Sequence, residues 1–342
     1  MSTKKNNKVR LVDIARETGF SIKTVSRVVN NQGDVSPKTR QAIMKVVNKY
    51  NYSPNPMAAT LRTRRTRTIG LVVPDFTNEF FGEVGLAIEA ALRAQSYSLI
   101  VSFSGNSHEG EVRALELLSS KYVDGILLAS VGTTTDAINE LLKEEMPLVV
   151  FDNEPPQVAT NVVLHDNING AYVLTRHLID HNYRSIGCVA GLQHQSSGSE
   201  RLEGFLKAME DNRLEAPASH IIVEDWTSEG GYRAMNQLLG LPKSERPRAV
   251  FISNSIMALG CYKALIQAKV RIPEEMALVS FDNLSFMESL EPPITTLSST
   301  GHSVGEQAAK LLLATLSNED SPPVERITIQ GTIIKRRSCG CA

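Results

Sequence analysis

The sequence predicts a small all-α unit at the amino terminus, followed by a larger α/β unit whose parallel sheets form two lobes. Periodicity, length and charge predict this division. Up to residue 67 the apolar residues recur at helical spacing, whereas from Thr68 onward short apolar runs alternate with helical stretches. The length of 342 residues exceeds one ordinary core and predicts two or three domains.

The net charge of −1 conceals an uneven distribution along the chain. Residues 1–67 carry 15 lysines and arginines against 3 aspartates and glutamates, which gives +12. The remaining residues carry 21 basic against 34 acidic side chains, which gives −13. A basic arm on an acidic body predicts that the amino-terminal unit binds a polyanion.

The stretch from residue 11 to residue 30 predicts two short helices joined by a turn. Gly19 and Phe20 interrupt the helical spacing, and Ser21 stands where an N-cap is expected. The second helix, from Ile22 to Asn30, has apolar valines on one side and a polar, basic outer face. This pattern favours a helix-turn-helix over a plain helical hairpin. The residues that we expect to face DNA are Ser21, Ile22, Lys23, Thr24, Ser26, Arg27 and Asn30.

Ser36 and Pro37 open a third helix, with the serine as N-cap and the proline at the first helical position. The apolar residues expected to close a small core against the first two helices are Ile43, Val46, Val47, Tyr50 and Tyr52. We assign residues 1–54 to this helical headpiece.

A hinge follows at residues 55–67. Asn55 and Pro56 can begin a short helix, and Leu61 is the large apolar residue of an arginine-rich segment that includes Arg62. So short a helix is marginal alone, so the segment is either a disordered basic linker or one that orders on DNA, which we favour.

Residues 68–342 predict the α/β unit. The predicted strands are Ile69–Val73, Leu99–Val101, Gly125–Leu128, Leu148–Phe151, Val162–Leu164, Ile186–Val189, Ile221–Val223, Val250–Ile252 and Leu278–Phe281. The predicted helices are Phe80–Gln95, Gly110–Ser120, Asp136–Lys143, Gly170–His181, Glu200–Asn212, Gly230–Leu239, Met257–Ala268 and Val304–Leu316. This alternation predicts right-handed βαβ units. About ten strands exceed one comfortable sheet, which favours two lobes.

Polar residues recur where the predicted strands end, which is where ligands bind open parallel sheets. These residues are Asp75, Asp152, Asp166, Asn254 and Asp282. Loops after two further strands add Gln195, Ser196, Ser197, Arg201 and Trp226. Carboxylates, amides and one aromatic face suit a polyol such as a sugar. For Asp75 and Asp166, capping of the following helix is an equally good interpretation.

The sequence lacks the common signatures of membrane proteins, secreted proteins and enzymes. We find no apolar run of roughly 18 residues and no signal peptide, so we expect a cytoplasmic protein and no membrane partner. Dinucleotide, Walker, nucleophile-elbow and zincin motifs are absent, so we expect no enzyme, with a hydrolase as the weak alternative.

The four cysteines are Cys188, Cys261, Cys339 and Cys341. The Cys339-Gly340-Cys341 spacing is wrong for a zinc knuckle and lacks a nearby partner pair, and the histidines show no metal-ligand spacing. We therefore expect reduced thiols, no metal and no cofactor.

Several runs of this sequence resemble the LacI/GalR family of bacterial transcription regulators. They are LVDIARETGFSIKTVSRVVN, NQGDVSPKTR, YNYSPNPMAATLRTRRTRTIGLVVPD, VDGILL, SERLEGF, SNSIMALG and FDN. The resemblance extends from the amino terminus to ERITIQGTIIKRRS, which is nearly the whole chain. It implies a helix-turn-helix headpiece, a hinge helix and a two-lobed core similar to periplasmic sugar-binding proteins.

The resemblance also implies a function and specific site residues. Family members are nucleoid-associated repressors that bind pseudopalindromic operators as dimers and respond to an effector between the lobes. By position, Ile22, Lys23 and Arg27 correspond to major-groove residues, Leu61 to a minor-groove wedge and Arg62 to its support. The corresponding effector-pocket residues are Phe80, Phe81, Asp152, Arg201, Trp226, Asn254, Asp282 and Ser299. Ser299 replaces a frequent glutamine, and Ser255 stands where an aspartate is usual.

Since Arg201 is the clear fixed cation of this pocket, we expect the effector to be a sugar or a sugar acid rather than a bisphosphate. A purine or nucleoside effector is the alternative. A solute-binding protein or an enzyme on the same scaffold is disfavoured by the basic headpiece and the missing motifs. Both induction and co-repression remain open, and the lack of a heptad tail favours a homodimer over a tetramer.

Overall fold

The structure, a computed structural model, describes residues 9–30, 33–52, 65–298, 301–317 and 323–341. The chain divides into two compact units, residues 1–66 and residues 67–342. The predicted hinge at 55–67, with Leu61 and Arg62, lies almost entirely outside the described residues, and so does Ser299.

In the first unit, the described residues form a headpiece of three helices. Its helices are α1 (Leu11–Thr18), α2 (Ile22–Val29) and α3 (Pro37–Lys49). The buried residues at its centre come from all three helices: Ile14, Ala15, Val25, Val28, Ile43 and Val47. As predicted, the hydroxyl oxygens of Ser21 and Ser36 cap α2 and α3 by accepting backbone N–H groups.

Tyr50 departs from the predicted headpiece core. Its side chain is 40% exposed, whereas Tyr52 packs against the core as expected. The Tyr50 hydroxyl instead donates to the carboxylate of Glu17, which also pairs with Lys49 at 2.7 Å. Both hydrogen bonds lower the pKa of Glu17, and the one from Lys49 has the larger effect. Tyr50 therefore joins the end of α3 to α1 through a polar contact at the surface.

The second unit contains twelve strands among the described residues. They are β1 (Thr68–Val73), β2 (Ser98–Phe103), β3 (Gly125–Ala129), β4 (Leu148–Phe151), β5 (Asn161–His165), β6 (Ile186–Ala190), β7 (Ile221–Val223), β8 (Ala249–Ile252), β9 (Ala277–Ser280), β10 (Thr295–Leu297), β11 (Arg326–Ile329) and β12 (Ile333–Ile334). They form two sheets with the orders β11-β5-β4-β3-β1-β2 and β12-β10-β9-β8-β6-β7. All pairs are parallel except β10 with β12.

In the described part of the second unit, eight α-helices cover the two sheets. They are α4 (Glu79–Ala94), α5 (His108–Ser120), α6 (Thr135–Lys143), α7 (Asn167–Asp180), α8 (Ser196–Asp211), α9 (Ser228–Gly240), α10 (Ser255–Gln267) and α11 (Gly301–Ser317). We call the first sheet with α4, α5, α6 and α11 lobe 1, and the second sheet with α7 to α10 lobe 2. Strands β3, β4, β8 and β9 are buried along their whole length, as expected for parallel strands covered on both faces.

The chain passes between the lobes three times: from β5 to α7, from β10 to α11 and from β11 to β12. The last part of the chain thus returns to lobe 1 before it ends in lobe 2. Val304, Ala308 and Leu312 of α11 are fully buried in the core of lobe 1, against α4 and the sheet. None of the described helices is both long and apolar enough to span a membrane.

The nine predicted strands are all present, but β10, β11 and β12 were not predicted. Each is only two to four residues long, and β10 and β11 carry threonines and an arginine instead of a continuous apolar run. Such short, polar strands lack the periodic signal that identifies a strand. The antiparallel strand β12 is also an exception to the all-parallel prediction.

Candidate ligand-binding cleft and nucleic-acid interface

A cavity of about 490 Å³ lies where the strand ends of the two lobes face each other. Its lining includes nine residues that the sequence predicted for the effector site: Phe80, Phe81, Asp152, Gln195, Ser197, Arg201, Trp226, Asn254 and Asp282. Asp152 directly follows β4, and Asp282 lies two positions after the last residue of β9. The rule that ligand sites form at the carboxyl ends of parallel strands therefore locates the cleft in both lobes.

The structure distinguishes Asp75 from Asp166, each of which the sequence left as either a helix cap or a ligand contact. Asp166 caps α7, because its Oδ1 accepts from the backbone N–H of Asn169 at 3.2 Å, and its Oδ2 accepts from Gln330 at 2.7 Å. It does not line the cleft. Asp75 lines the cleft, and its Oδ1 also accepts from the backbone N–H of Thr77 at 2.6 Å.

Arg201, on α8, is the central charged group of the cleft. Its Nε donates to Asn167 Oδ1 at 2.9 Å, and its Nη1 donates to the carbonyl of Ser253 at 2.7 Å. Nη1 also lies 3.7 Å from Asp282 Oδ2. The guanidinium stacks over the ring of Phe281, with 3.8 Å between its carbon and the ring centroid. These contacts fix the guanidinium and hold much of its hydrogen-bonding capacity within the protein.

Two cleft aspartates have unusual backbone conformations. Asp152 has φ 69° and Asp282 has φ 62°, both in the left-handed region that non-glycine residues adopt at a cost of about 1–3 kcal/mol. Burial raises the pKa of Asp152 to about 6, the charge of Arg201 opposes this, and the charge of Asp282 adds to it. The surrounding fold thus holds two carboxylates close to one buried arginine.

Trp226 lies between β7 and α9 and gives the cleft an aromatic face. Its indole N–H donates to Gln195 Oε1. The ring packs directly on Gly191, where a Cβ atom would lie 2.0 Å from Trp226 Cη2. Gly191 is therefore required for the ring to stay where it is.

Further polar groups of the cleft were not singled out from the sequence. Asn153 accepts from the backbone N–H and the hydroxyl of Ser197 at 3.0 and 2.7 Å, which joins β4 to α8 across the lobes. The other unpredicted polar lining residues are Thr77, Asn78, Asn106, Ser130, Thr227, Ser228 and Glu229. Ser130 and Asn153 lie one and two positions beyond the ends of β3 and β4, whereas the others lie three to six positions beyond a strand end, in loops that strand patterns do not locate.

His165, the last residue of β5, is buried beside the cleft residue Phe80, with ring centroids 5.6 Å apart. Neither of its ring nitrogens has a hydrogen-bond partner among the described residues. Burial, and secondarily the positive charge of Arg201, lowers the pKa of His165 to about 3. This histidine is therefore neutral at the point where the chain leaves lobe 1.

The chemistry of the cleft follows from its charges. Among the lining residues that the structure describes, the acids are Asp75, Asp152, Glu229 and Asp282, and Arg201 is the only lysine or arginine. Carboxylates, amides and hydroxyls can accept and donate hydrogen bonds to vicinal hydroxyl groups, and the aromatic rings can cover an apolar face. The excess of acids disfavours an anionic ligand.

In the headpiece, α2 presents the predicted polar face. Ile22 is 51% exposed, and Lys23 and Arg27 are exposed as well. Asn30 Nδ2 donates to the carbonyl of Ser26 at 2.9 Å, and Thr24 and Ser21 are joined through their hydroxyls at 2.8 Å. Of the seven predicted residues of this face, Ser21 lies just before α2, Asn30 lies just after it, and the other five are on the helix.

The expectation that Cys339 and Cys341 lack a nearby partner pair was wrong. His177, on α7, and His181, which ends it, come from more than 150 residues earlier and lie against both thiols. His177 Nε2 is 3.2 Å from Cys339 Sγ and 3.6 Å from Cys341 Sγ, and His181 Nε2 is 3.2 Å from Cys341 Sγ. We call these four residues the Cys–His cluster. The two histidines are four residues apart in a helical segment, which is a metal-ligand spacing that we did not recognise in the sequence.

Comparisons with known protein families give one match in the headpiece and one in the second unit. Residues 10–55 match the family described as "Bacterial regulatory proteins, lacI family", and residues 175–339 match the "Periplasmic binding protein-like domain". The HTH-type transcriptional repressor PurR of Mannheimia succiniciproducens is 31% identical over 328 residues, which cover 95% of this chain and 97% of the relative.

Solved structures are similar over nearly the same length. The transcriptional regulator CelR in complex with cellobiose has a TM-score of 0.72 and 29% identity, with 96% of this chain and 99% of that chain covered. The lac repressor dimer bound to operator and the anti-inducer ONPF has a TM-score of 0.85, with 97% and 99% covered. At 23% identity, that second similarity concerns the fold alone.

Proposed function

The chain belongs to the LacI family of bacterial regulatory proteins and is a DNA-binding transcriptional repressor, and we propose that it binds a pseudopalindromic operator as a homodimer and responds to an uncharged sugar in its interlobe cleft. The relatives are repressors and not enzymes, in agreement with the missing catalytic motifs.

The charge balance of the cleft carries the proposal of an uncharged sugar. Four acids face one arginine, and that arginine already donates to Asn167 and Ser253. A sugar acid or phosphate would bring a further negative charge next to Asp152 and Asp282, at a cost that grows in a partly buried site. A sugar brings hydroxyl groups that donate to carboxylates and C–H faces that pack on Trp226 and Phe81. The cellobiose complex of CelR supports this class of ligand.

A purine or nucleoside is the second candidate, because the relatives with 31–33% identity over 95% of this chain are named PurR. Trp226 offers a ring on which a base could stack, and Asp282 and Asn254 offer groups for its polar edge.

A thermal-shift panel separates these candidates. Neutral monosaccharides and disaccharides, sugar acids, purine bases and nucleosides are each added to the full-length protein. A ligand that binds the native state stabilises it by about 2.7 kcal/mol at 100 times its Kd. We expect the shift from a neutral sugar. A shift from sugar acids alone would contradict the charge argument, and a shift from purines alone would establish the second candidate.

Operator binding rests on the α2 face and the hinge. In this proposal α2 lies in the major groove with Ile22, Lys23 and Arg27 towards the bases, and Ser21, Thr24, Ser26 and Asn30 towards the backbone. Leu61 of the hinge enters the minor groove at the operator centre, and Arg62 supports it. Fluorescence anisotropy on operator fragments, repeated with the ligand from the panel, gives both the affinity and the direction of the response.

Homodimerisation is supported by apolar side chains that lobe 1 leaves exposed. Leu86 on α4 is 73% exposed, and the edge strand β2 carries exposed Ile100 and Phe103. Phe103 packs edge-on against the half-exposed Phe76, with 5.1 Å between ring centroids. Exposed apolar residues around an edge strand are typical of a protein interface.

The dimer proposal predicts that Leu86→Asp yields a monomer in sedimentation analysis. Its operator affinity should fall by more than about tenfold, because a monomer has one headpiece and contacts only one half-site of the operator. The matched control is Ile266→Asp on α10 of lobe 2, where the side chain is 49% exposed. It should leave the dimer intact. A Leu86→Asp protein that remains dimeric would exclude this surface.

A further inference from the structure

The Cys–His cluster lies far from the interlobe cleft. Asn167, at the first turn of α7, contacts the cleft arginine, whereas His177 and His181 are at the other end of this 14-residue helix. At 1.5 Å per residue the helix separates the two places by about 20 Å. The cluster is therefore independent of the effector site.

The four side chains have the composition of a structural zinc site. Two thiolates and two imidazoles are a common tetrahedral set for zinc, and two histidines at i and i+4 of a helix can bind one ion together. All four candidate ligand atoms lie within 4.8 Å of one another. With Zn–S near 2.3 Å and Zn–N near 2.0–2.1 Å, tetrahedral geometry puts sulfur and nitrogen about 3.6 Å apart. Three of the sulfur–nitrogen distances in the cluster, 3.2, 3.6 and 3.2 Å, are close to that value.

The groups behind the candidate ligands are arranged as in metal sites. His181 Nδ1 lies 2.8 Å from the backbone carbonyl of His177, to which it donates, so Nε2 carries the lone pair that faces Cys341. Metal-bound histidines usually make such a hydrogen bond with the other ring nitrogen. The hydroxyl of Thr295 lies 3.0 Å from Cys339 Sγ and can donate to a thiolate.

The backbone brings both cysteines to one point. A short 3₁₀ helix at Arg337–Cys339 ends at Gly340, whose φ of 92° is in the left-handed region. This turn brings Cys341 back beside Cys339, and all four ligand atoms lie within 4.8 Å of one another. In an extended Cys-X-Cys segment the two side chains share a face but stand about 6.6 Å apart along the strand. Glycine is the residue that adopts this φ without a steric penalty.

We propose that His177, His181, Cys339 and Cys341 bind one Zn²⁺ ion that fixes the segment after β12 to the end of α7. Binding releases the two thiol protons to solvent and leaves two thiolates against one divalent cation, so the half-buried site is neutral. All four positions are filled by protein atoms, so the ion is structural and has no open position for a substrate. The site joins the last strand of lobe 2 to its first helix.

The test uses the reduced, metal-free, full-length protein with a phosphine reductant and Co²⁺ as the probe. A single equivalent of Co²⁺ should produce the intense visible bands of a tetrahedral complex together with sulfur-to-cobalt charge transfer, and Zn²⁺ should remove both. Cys341→Ser should lower the charge-transfer intensity by about half, since one of two thiolates is lost. His181→Gln should weaken Zn²⁺ binding by more than the roughly 10–100-fold typical of changes outside the ligand shell.

The control is Cys261→Ser, which removes a buried thiol of α10 outside the cluster. It should keep the wild-type cobalt spectrum. Cys341 and His181 are both half-buried, so their variants are expected to fold, which circular dichroism and operator binding verify. A pale octahedral spectrum for the wild type, or a charge-transfer band unchanged by Cys341→Ser, would overturn the proposal. In that case the cluster is a set of thiol–imidazole hydrogen bonds.

Discussion

At the scale of single residues, Gly191 controls where Trp226 lies. A Cβ atom at Gly191 would be 2.0 Å from the indole ring, so Gly191→Ala must push the ring away from its place in the cleft. We expect a loss of about 1–3 kcal/mol in stability from overpacking. Affinity for the ligand from the thermal-shift panel should fall at least about tenfold, measured by titration calorimetry, because the aromatic face moves.

Gly240→Ala is the matched control for Gly191→Ala. A Cβ atom at Gly240, at the end of α9, would have no atom within 4 Å. This variant should bind ligand as the wild type does and should unfold at the same or a slightly higher temperature. If Gly191→Ala also bound with wild-type affinity, Trp226 would not be part of the ligand site.

His165 makes stability depend on pH. Its pKa is about 3 in the folded protein against 6.5 ordinarily, so below pH 6.5 the unfolded chain binds a proton that the native state does not. Its contribution to stability is therefore lost as the pH falls, by up to about 1.4 kcal/mol per pH unit. Asp152 acts in the opposite direction, because its raised pKa of about 6 favours the native state as the pH falls.

His165→Phe should therefore flatten the loss of stability between about pH 6 and pH 4, measured by urea unfolding at several pH values. Asp152→Asn should make the loss steeper over the same range. An unchanged pH profile in His165→Phe would mean that the histidine is protonated in the folded protein.

Asp152 and Asp282, which the sequence predicted for the ligand site, line the cleft, and their role in binding stays a prediction. They could be singled out because β4 and β9 are wholly apolar or nearly so and ligands bind beyond the ends of such strands. Arg201, which also lines the cleft, was singled out from the loop after β6 and from the family resemblance. Sequence reasoning missed His165, because that residue is the last member of a buried strand. It also misjudged Tyr50, because an aromatic residue at helical spacing gives no sign that Glu17 of another helix will bind its hydroxyl.

At the scale of elements, a substitution on α2 should distinguish the recognition of bases from the general attraction of the headpiece to DNA. Arg27→Ala should lower affinity for the operator more than affinity for random duplex, since an arginine contact to guanine contributes about 1–3 kcal/mol of discrimination. Anisotropy on both duplexes measures the difference. Lys45→Ala on α3 removes the same charge from an exposed position elsewhere in the headpiece. Equal losses on both duplexes for Arg27→Ala would assign Arg27 to phosphate contacts only.

The elements that escaped prediction are those whose identity depends on distant partners. Strands β10 and β12 are recognisable as strands because they pair with each other and β10 pairs with β9. The Cys–His cluster likewise depends on two segments separated by 162 residues between His177 and Cys339. Local periodicity cannot report such pairings.

At the scale of the whole molecule, the charge asymmetry predicts two separable activities. A chain that begins at Thr68 lacks the +12 arm but keeps both complete sheets. It should bind the same ligand as the full-length protein and lose DNA affinity, with no salt-dependent binding remaining, because phosphate contacts release counterions. Anisotropy at several salt concentrations measures this. Retained operator binding by the shortened chain would show that the headpiece is not the DNA-binding unit.

The order of the chain also matters while the protein is being synthesised. Lobe 1 begins first, yet α11 and β11, which cover and extend its sheet, leave the ribosome only after nearly all of lobe 2. Until then the side of α4 that receives Val304 and Leu312 has no covering helix. The nascent chain therefore carries an exposed apolar surface in lobe 1 through most of translation, when aggregation competes with folding. For the same reason, a ribosome that stops before residue 301 releases a chain whose first lobe lacks α11 and β11, although that lobe was the first to be synthesised.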